Sequence, residues 1–177
     1  MILFKEKNYL EQFKGFHFFY GSYLSNWAFT PFIDTSTCIP YNCSEQYMMQ
    51  KKAILFNDFE TAKAIMMQKN PRDQKALGRT VKDFNIDTWN LHARQIVYEG
   101  CFYKFTQDKK AYEYLMSTKN LYLVEASPTD VVWGIGIAVD DKENKDPKNW
   151  KGTNWLGHVL TTLREDLIEN PHFVPFT

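Results

Sequence analysis

The sequence carries no net charge and no long hydrophobic run. Its 21 basic residues equal its 21 acidic residues, whereas proteins that hold long duplex nucleic acid through its phosphates usually carry a basic excess or stripe. No run of about 18 apolar residues is present, and the first residues lack the apolar core of a secretion signal. We therefore expect a cytoplasmic protein without a membrane segment.

Cysteine and histidine are too few and too scattered for the common disulfide and metal sites. The three cysteines have no CxxC spacing, which predicts reduced thiols rather than a disulfide framework or a zinc site. HExxH, GxSxG and phosphate-loop patterns are absent, and Gly134-Ile135-Gly136 lacks the rest of the dinucleotide fingerprint. These absences disfavour metal enzymes and Rossmann oxidoreductases, and we expect neither a metal nor another cofactor.

Aromatic residues, by contrast, make up 16% of the 177 residues. Core packing is expected to account for most of them, although aromatic rings also stack on flat ligands such as nucleobases. The hydrophobic content of 44% is ordinary for a globular protein. No linker rich in Pro, Gly or Ser divides the chain, so the sequence predicts one domain over residues 1–177.

The residue patterns predict a predominantly helical α+β fold with a few short strands. Extended segments are predicted at Phe16–Tyr20, Phe32–Asp34, Cys38–Pro40 and Leu121–Ala126. Helices are predicted from Ser44 (as N-cap) to Phe56, after the cap Asp58 to Met67, from Pro71 to Gly78, from Trp89 to Phe105 behind a cap at Asp87 or Thr88, from Asp108 to Thr118, and from Asn154 to a stop at Pro171. The mixed-charge segment 140–148 is predicted to be a solvated loop.

Glu45 and Lys52 are the first candidates for chemistry. They lie seven residues apart on a predicted helix, which puts them within about 20° of each other around its axis. Burying an unpaired charge is costly, so spacing alone favours an arrangement in which both charged heads reach water. The alternative is an acid and an amine that line a pocket.

The other candidates lie in turns. Asp130 follows Ser127-Pro128, where capping a turn is the commoner role for an aspartate. Trp133 either packs in the core or, beside Gly134, forms a stacking wall. Asn154 precedes the last helix, so a helix cap is the safer interpretation than an anion site.

Several short blocks, taken in order, resemble the NADAR (YbiA-like) family of N-glycosidases. The blocks are Tyr23-Leu24-Ser25-Asn26-Trp27, Ser44-Glu45-Gln46-Tyr47, Lys52-Ala53, Leu77-Gly78-Arg79, Trp89 with Arg94, Lys104-Phe105, Leu123-Val124-Glu125-Ala126-Ser127, Asp130, Trp133-Gly134, Gly152-Thr153-Asn154-Trp155-Leu156-Gly157 and Arg164. Their order and spacing over roughly residues 16–168 carry the resemblance. The chain departs from the family pattern at Trp27, Gln46 and His158, where the family often has Phe or Tyr, His and Arg.

The resemblance implies a compact YbiA-like domain that cleaves a bond between a ribose and a base nitrogen. Two substrate classes are associated with the family: the ribosylamino-pyrimidine phosphates of early riboflavin biosynthesis, and ADP-ribose attached to guanine in nucleic acid. The expected partner is therefore a nucleotide-like small molecule or ADP-ribosylated nucleic acid. The alternatives are a non-catalytic module that binds ADP-ribose or a nucleotide, and a protein-interaction factor.

The resemblance also implies roles for particular side chains. Glu45 would be the general acid and base or would stabilise the sugar, with support from Asp130, and Lys52 would orient Glu45 or form a Schiff base with the opened sugar. The remaining candidates would contact substrate: Asn26, Trp27, Trp89, Trp133 and Asn154 at the base or ribose, and Arg79, Arg94 and Arg164 at phosphate. A structural ion pair is at least as strongly expected for any one of these arginines.

Overall fold

The computed structural model describes residues 3–7 and 10–176. The strands of this range are β1 Phe16–Phe19, β2 Phe32–Asp34, β3 Ile39–Tyr41 and β4 Tyr122–Glu125, and its α-helices are α1 Ser44–Leu55, α2 Phe59–Met67, α3 Pro71–Gly78, α4 Ile86–Gln107, α5 Lys109–Ser117 and α6 Trp155–Glu169. The predicted α+β class, dominated by helices, is confirmed. Two compact units divide the chain: Asn26–Asp108, and Met1–Ser25 with Lys109–Thr177.

The unit Asn26–Asp108 is built around an aromatic cluster between a hairpin and helices. Strands β2 and β3 pair antiparallel, with Phe32 opposite Tyr41. The Phe32 and Tyr41 rings stack with centroids 5.6 Å apart, and Tyr41 meets Tyr47 of α1 edge-on at 4.9 Å. A side chain at Gly100 would collide with the Tyr47 ring, so this glycine lets α4 pack closely on α1. Core packing thus accounts for part of the aromatic excess.

The other unit contains a two-stranded parallel sheet covered by α6. Strands β1 and β4 run in register from the pair Phe16 and Tyr122 to the pair Phe19 and Glu125. The buried core behind them consists of Tyr122, Val124, Ala126, Ile135 and Ile137, and partly buried Phe13, Phe16, Phe18 and Trp150 pack against it. Gly157 lies so close to the carbonyl of Leu123 that a side chain there would overlap it.

Several helix boundaries agree with the sequence. Asp58 caps α2 through a hydrogen bond from the Thr61 amide, as predicted, and Pro71 is the first residue of α3. Asn154 is the N-cap residue of α6, although its side chain makes no cap hydrogen bond. Asp58, Pro71 and Asn154 thus occupy the helix positions that their residue types favour.

Two boundary predictions are wrong, and the loop prediction for residues 140–148 is right only in part. Ser44 is the first residue of α1 and not its cap, because the extended Cys43 takes that position without a side-chain hydrogen bond. Helix α4 begins almost a turn early, at Ile86, because Asn85 accepts the cap hydrogen bond from the Thr88 amide. The charged segment is not simply a solvated loop: it contains two 3-10 turns, Lys142–Lys145 and Pro147–Asn149, and buries Asn144.

Candidate active site

Glu45 lies in the first turn of α1, where the helix dipole favours an acidic side chain. Its backbone N–H donates to the carbonyl of Asn26 at 2.9 Å, and the two residues are 2% and 5% exposed. The expectation that both charged heads reach water is therefore wrong for Glu45. The loop at Asn26 is bound to the helix terminus, and the position of that loop cannot be read from helical spacing.

Lys52, two turns further along α1, is half-buried among aromatic rings. Its ammonium donates to the carbonyl of Gly78 at 2.8 Å and lies 4.1 Å from the ring centroid of Phe84 and 5.6 Å from that of Trp89. Burial, and then the positive charge of Arg79, lower the pKa of Lys52. A larger fraction of a partly desolvated amine is neutral near neutral pH, which is what a nucleophilic lysine requires.

The carbonyl that binds Lys52 belongs to the last residue of α3. A side chain at Gly78 would overlap the Met49 side chain of α1, so glycine lets the end of α3 approach α1 without displacing Met49. The glycine that the sequence suggests as a helix stop therefore also positions the acceptor for the Lys52 ammonium.

The other candidates of this unit differ in exposure. Trp89 is 8% exposed in the first turn of α4, and Arg94 is partly buried five residues later. Arg79 is exposed at the end of α3. Trp27 is 42% exposed, and the Lys75 ammonium lies 5.9 Å from its ring centroid. The unit thus brings Glu45 together with Asn26, and Lys52 together with Trp89 and Arg79.

Sequence reasoning assigned no role in the site to two further residues of this unit. Phe84 lies in the link before α4 and is placed beside Lys52 by the fold, so no sequence pattern indicates its role. Lys104 is fully buried, and burial lowers its pKa to about 8 against the opposing effects of Cys101, Cys43 and Asp108. Its position on the apolar stripe of α4, three residues after Cys101, was an available signal.

The departure at Gln46 has a structural explanation. The Gln46 side chain accepts a hydrogen bond from the Asn42 amide at 2.9 Å and donates to the carbonyl of Gln68 at 3.2 Å. It therefore connects the start of α1 with the segment between α2 and α3. This connection requires a polar side chain of this length at position 46. It does not require that the side chain take part in a reaction.

In the other unit, Asp130 organises the turn that carries Trp133. One carboxylate oxygen of Asp130 accepts hydrogen bonds from the amides of Val132 at 3.0 Å and Trp133 at 2.8 Å. Trp133 is partly buried and meets Trp155 edge-on, with ring centroids 5.6 Å apart. The turn-capping role expected for an aspartate after Ser-Pro is thus present.

Asn154 connects α6 to β4. Its side-chain oxygen accepts from the Glu125 amide, and its side-chain nitrogen donates to the Leu123 carbonyl, both at 2.9 Å. The residue is 1% exposed and has a left-handed backbone, with φ of 53°. Contact with a ligand would require one of these two hydrogen bonds to be exchanged.

Arg164 is also fully enclosed. Its guanidinium donates to the carbonyl and hydroxyl oxygens of Thr118 at 2.6 and 3.0 Å and to the Glu165 carboxylate at 2.8 Å. It lies 5.2 Å from the ring of Phe13. These contacts favour the structural ion pair over the phosphate contact for this arginine.

Two absences in the described part of the chain concern metal clusters and membrane-spanning helices. Within residues 3–7 and 10–176, no cluster of three or more His, Cys, Asp or Glu side chains could hold a metal ion. Across the same residues, none of the helices is long and apolar enough to cross a membrane.

Comparison with known proteins identifies the family of this chain. The sequence pattern of the NADAR domain matches residues 17–168. The chain belongs to the NADAR family. Protein irg-1 of Caenorhabditis elegans is 39% identical over 137 residues, which cover 76% of this chain and 65% of irg-1. N-glycosidase R617 of Acanthamoeba polyphaga mimivirus is 39% identical over 138 residues, which cover 78% of this chain and 81% of R617.

A solved structure shares the fold. The NMR structure of the Escherichia coli protein YbiA superposes with a TM-score of 0.72 and covers 89% of this chain and 88% of its own. The two sequences are 24% identical over this match. The predicted YbiA-like fold is therefore confirmed.

Proposed function

We propose that this chain is a hydrolase that cleaves the N-glycosidic bond between a ribose and a base. The observation that carries the proposal is the pairing, on one helix, of a buried acid, Glu45, with a partly desolvated amine, Lys52, beside aromatic rings. The relative R617, 39% identical, is named an N-glycosidase and supports a hydrolase of N-glycosyl bonds. The proposed substrates are the ribosylamino-pyrimidine phosphates or ADP-ribosylated guanine in nucleic acid.

The reaction sets the demands on the acid. As the bond between the ribose carbon and the base nitrogen breaks, positive charge develops on the sugar and negative charge on the base. A carboxylate stabilises the first, and a proton donor neutralises the second. In the proposal Glu45 meets both demands in turn: protonated Glu45 donates its proton to the base nitrogen as the ribose–nitrogen bond breaks, and the resulting carboxylate stabilises the sugar cation. Water then adds its oxygen to the ribose carbon, and the Glu45 carboxylate takes the proton that this water loses.

Lys52 is proposed to act as a nucleophile on the sugar. Its ammonium is bound by Gly78 and flanked by Phe84 and Trp89, which favours a role toward substrate over orienting Glu45. The neutral amine would add to the aldehyde of the opened ribose, expel water as the Schiff base forms, and be released when water adds back. Asp130 is proposed to act through the Trp133 turn that it holds.

The test compares matched variants on both substrate classes. We expect the wild-type protein to release free base and Glu45→Gln to lose about 10²–10⁴-fold in rate. Glu60→Gln, an exposed acid in the first turn of α2, is the matched control and should release base at the wild-type rate. Melting temperatures of both variants should stay near the wild-type value. This control is needed because a loss of activity through unfolding would not show that Glu45 takes part in the reaction.

Borohydride reduction tests Lys52 separately. The wild-type protein should form a covalent sugar adduct on Lys52 with a competent substrate, and Lys52→Met should form none. Base release by an active protein without any adduct would reject the Schiff base. Turnover by Glu45→Gln at the wild-type rate, or ligand binding without base release by the wild-type protein, would reject the proposed function.

A further inference from the structure

The ring of Phe84 lies over the Lys52 ammonium. Its centroid is 4.1 Å from the Lys52 nitrogen, and the same ring meets Phe56 edge-on with centroids 5.3 Å apart. Phe56 is the C-cap residue of α1 and follows Lys52 by four positions, so the two residues are neighbours on one face of this helix. Phe84 therefore packs along the end of α1, against the amine on one side and against Phe56 on the other.

The segment that carries Phe84 is fixed on both sides of the ring. On one side, the amide of Lys82 donates to the carboxylate of Asp58, the cap of α2, at 3.0 Å. On the other side, Asn85 accepts the cap hydrogen bond of α4 at 2.8 Å. Only Asp83 and Phe84 lie between these two anchors. The caps of two helices thus place the ring beside the amine.

Lys52 differs in its surroundings from the lysine that precedes it. The ammonium of Lys51 is paired with the carboxylate of Asp34 at 3.0 Å. Among the residues that the structure describes, no carboxylate forms such an ion pair with Lys52. The Lys52 ammonium contacts instead the carbonyl of Gly78 at 2.8 Å and the ring of Phe84. A ring does not replace the hydrogen bonds of water, so burial against it disfavours the charged amine.

Two effects of this ring oppose each other. The aromatic ring attracts an ammonium ion, which favours the protonated amine. Exclusion of water by the same ring favours the neutral amine. The pKa of Lys52 is lowered, with burial as the largest cause and the positive charge of Arg79 as the second, so the exclusion of water outweighs the attraction. The neutral amine is the form that adds to a carbonyl carbon.

We propose that Phe84 is a positioning residue for Lys52: its ring excludes water from the amine and so keeps the amine able to attack an aldehyde. The inference rests on the proposed function, because the opened ribose is the aldehyde concerned. It has a consequence that needs no substrate, since the reactivity of Lys52 toward any small acylating reagent then depends on the residue at position 84.

Trace acetylation with acetic anhydride measures the reactivity of single lysines in the folded protein. The protein is labelled at a series of pH values, and the acetyl groups on Lys52 and Lys51 are quantified by peptide mass spectrometry. In each profile the midpoint measures protonation of the amine, whereas the plateau at high pH measures access to it. Labelling of Lys51 is the internal control and should be the same in all variants.

The side chain at position 84 should set the midpoint of the Lys52 profile. Phe84→Ala lets water reach the amine and should raise the midpoint by about one pH unit, which lowers labelling at pH 7 about tenfold relative to the plateau. Phe84→Gln brings a polar amide to the amine and should raise the midpoint as well. Phe84→Leu keeps an apolar side chain there but removes the attraction of the ring, so its midpoint should equal the wild-type value or fall below it. Phe29→Ala, which removes a ring that is 76% exposed before β2, is the control and should leave the midpoint unchanged.

The outcomes separate this inference from the proposed function. An unchanged or lower midpoint in folded Phe84→Ala and Phe84→Gln, or an equal rise in Phe84→Leu, would overturn the inference even if the protein releases base. A midpoint that rises in Phe84→Ala and Phe84→Gln alone would support it even if neither substrate is hydrolysed, in which case only the proposed function would fail.

With a competent substrate, borohydride trapping adds a second readout. The sugar adduct on Lys52 should form about tenfold more slowly in Phe84→Ala at pH 7 and approach the wild-type rate at higher pH. A rate that stays low at high pH would contradict the inference, because protonation of the amine would then not be the cause of the loss.

Discussion

Replacing Asn154 by alanine should destabilise the protein strongly. In the native state this side chain binds the amide of Glu125 and the carbonyl of Leu123, both at 2.9 Å, and it is 1% exposed. Alanine removes both hydrogen bonds and supplies no replacement. The edge of β4 that faces α6 would then carry a backbone donor and acceptor shielded from water.

The magnitude follows from these two groups. Each buried backbone group left without a partner costs about 1–3 kcal/mol, so the free energy of unfolding should fall by about 3 kcal/mol or more. Asn154 also has a left-handed backbone, which costs alanine about 1 kcal/mol more than glycine. For a chain of this size, about 3 kcal/mol lowers the melting temperature by roughly 6–12 °C.

Thermal melts and urea titrations of Asn154→Ala and Asn154→Gly measure this effect. Both variants should be destabilised, and Asn154→Gly should be the more stable of the two. A melting temperature of Asn154→Ala close to that of the wild-type protein, together with weaker substrate binding, would refute the reasoning. Asn154 would then be a substrate contact, as the family resemblance implies, rather than a connection between α6 and β4.

Three further predictions concern stability. Gly78→Ala should lose about 1–3 kcal/mol through overlap with Met49, and Met49→Ala in the same chain should restore part of it in urea titrations. Burial raises the pKa of Asp34, but hydrogen bonds from Ser36 and Lys51 outweigh burial and hold this pKa below its usual value. The ionised Asp34 therefore stabilises the fold above about pH 4, and this stabilisation is lost in more acid solution. In Asp34→Asn, the free energy of unfolding should consequently fall less steeply as the pH is lowered. Burial, and then the charge of Glu99, raise the pKa of Tyr47, so the stabilisation that its protonated hydroxyl gives the fold is progressively lost above about pH 10. The difference in free energy of unfolding between the wild-type protein and Tyr47→Phe should therefore become smaller above that pH.

Local signals predicted most of the helices and strands. Asp58 and Pro71 have strong preferences for one position in a helix, and the structure uses them there. The start of α4 was missed because Asn85, Asp87 and Thr88 all suit a cap, and their sequence preferences are too similar to decide among them. The cap at Asn85 also brings Thr88 into the helix, where its amide binds Asn85.

The sequence indicates which face of a helix the candidate residues share, but not what surrounds them. Helical spacing indicates that Glu45 and Lys52 share a face of α1, but burial of Glu45 depends on the loop at Asn26. Likewise, the Lys52 ammonium packs against Phe84, which lies more than thirty residues further along the sequence, in the segment before α4. Long-range packing of this kind leaves no periodic signal in one sequence.

The sequence also does not reveal which candidate residues are enclosed by the fold. Arg164 matches a family block and has the side chain best suited to phosphate, yet the structure surrounds it with Thr118, Glu165 and Phe13. A sequence motif preserves residue types for packing as well as for chemistry. Only the contacts distinguish the two.

The central claim, hydrolysis of a ribose–base bond, is tested most directly by the origin of the oxygen in the sugar product. The wild-type protein would be incubated with each of the two substrate classes in water labelled with heavy oxygen, and the products analysed by mass spectrometry. We predict free base together with a ribose product that carries one heavy oxygen atom. Intact substrate in both reactions, or free base with an unlabelled sugar, would contradict the claim.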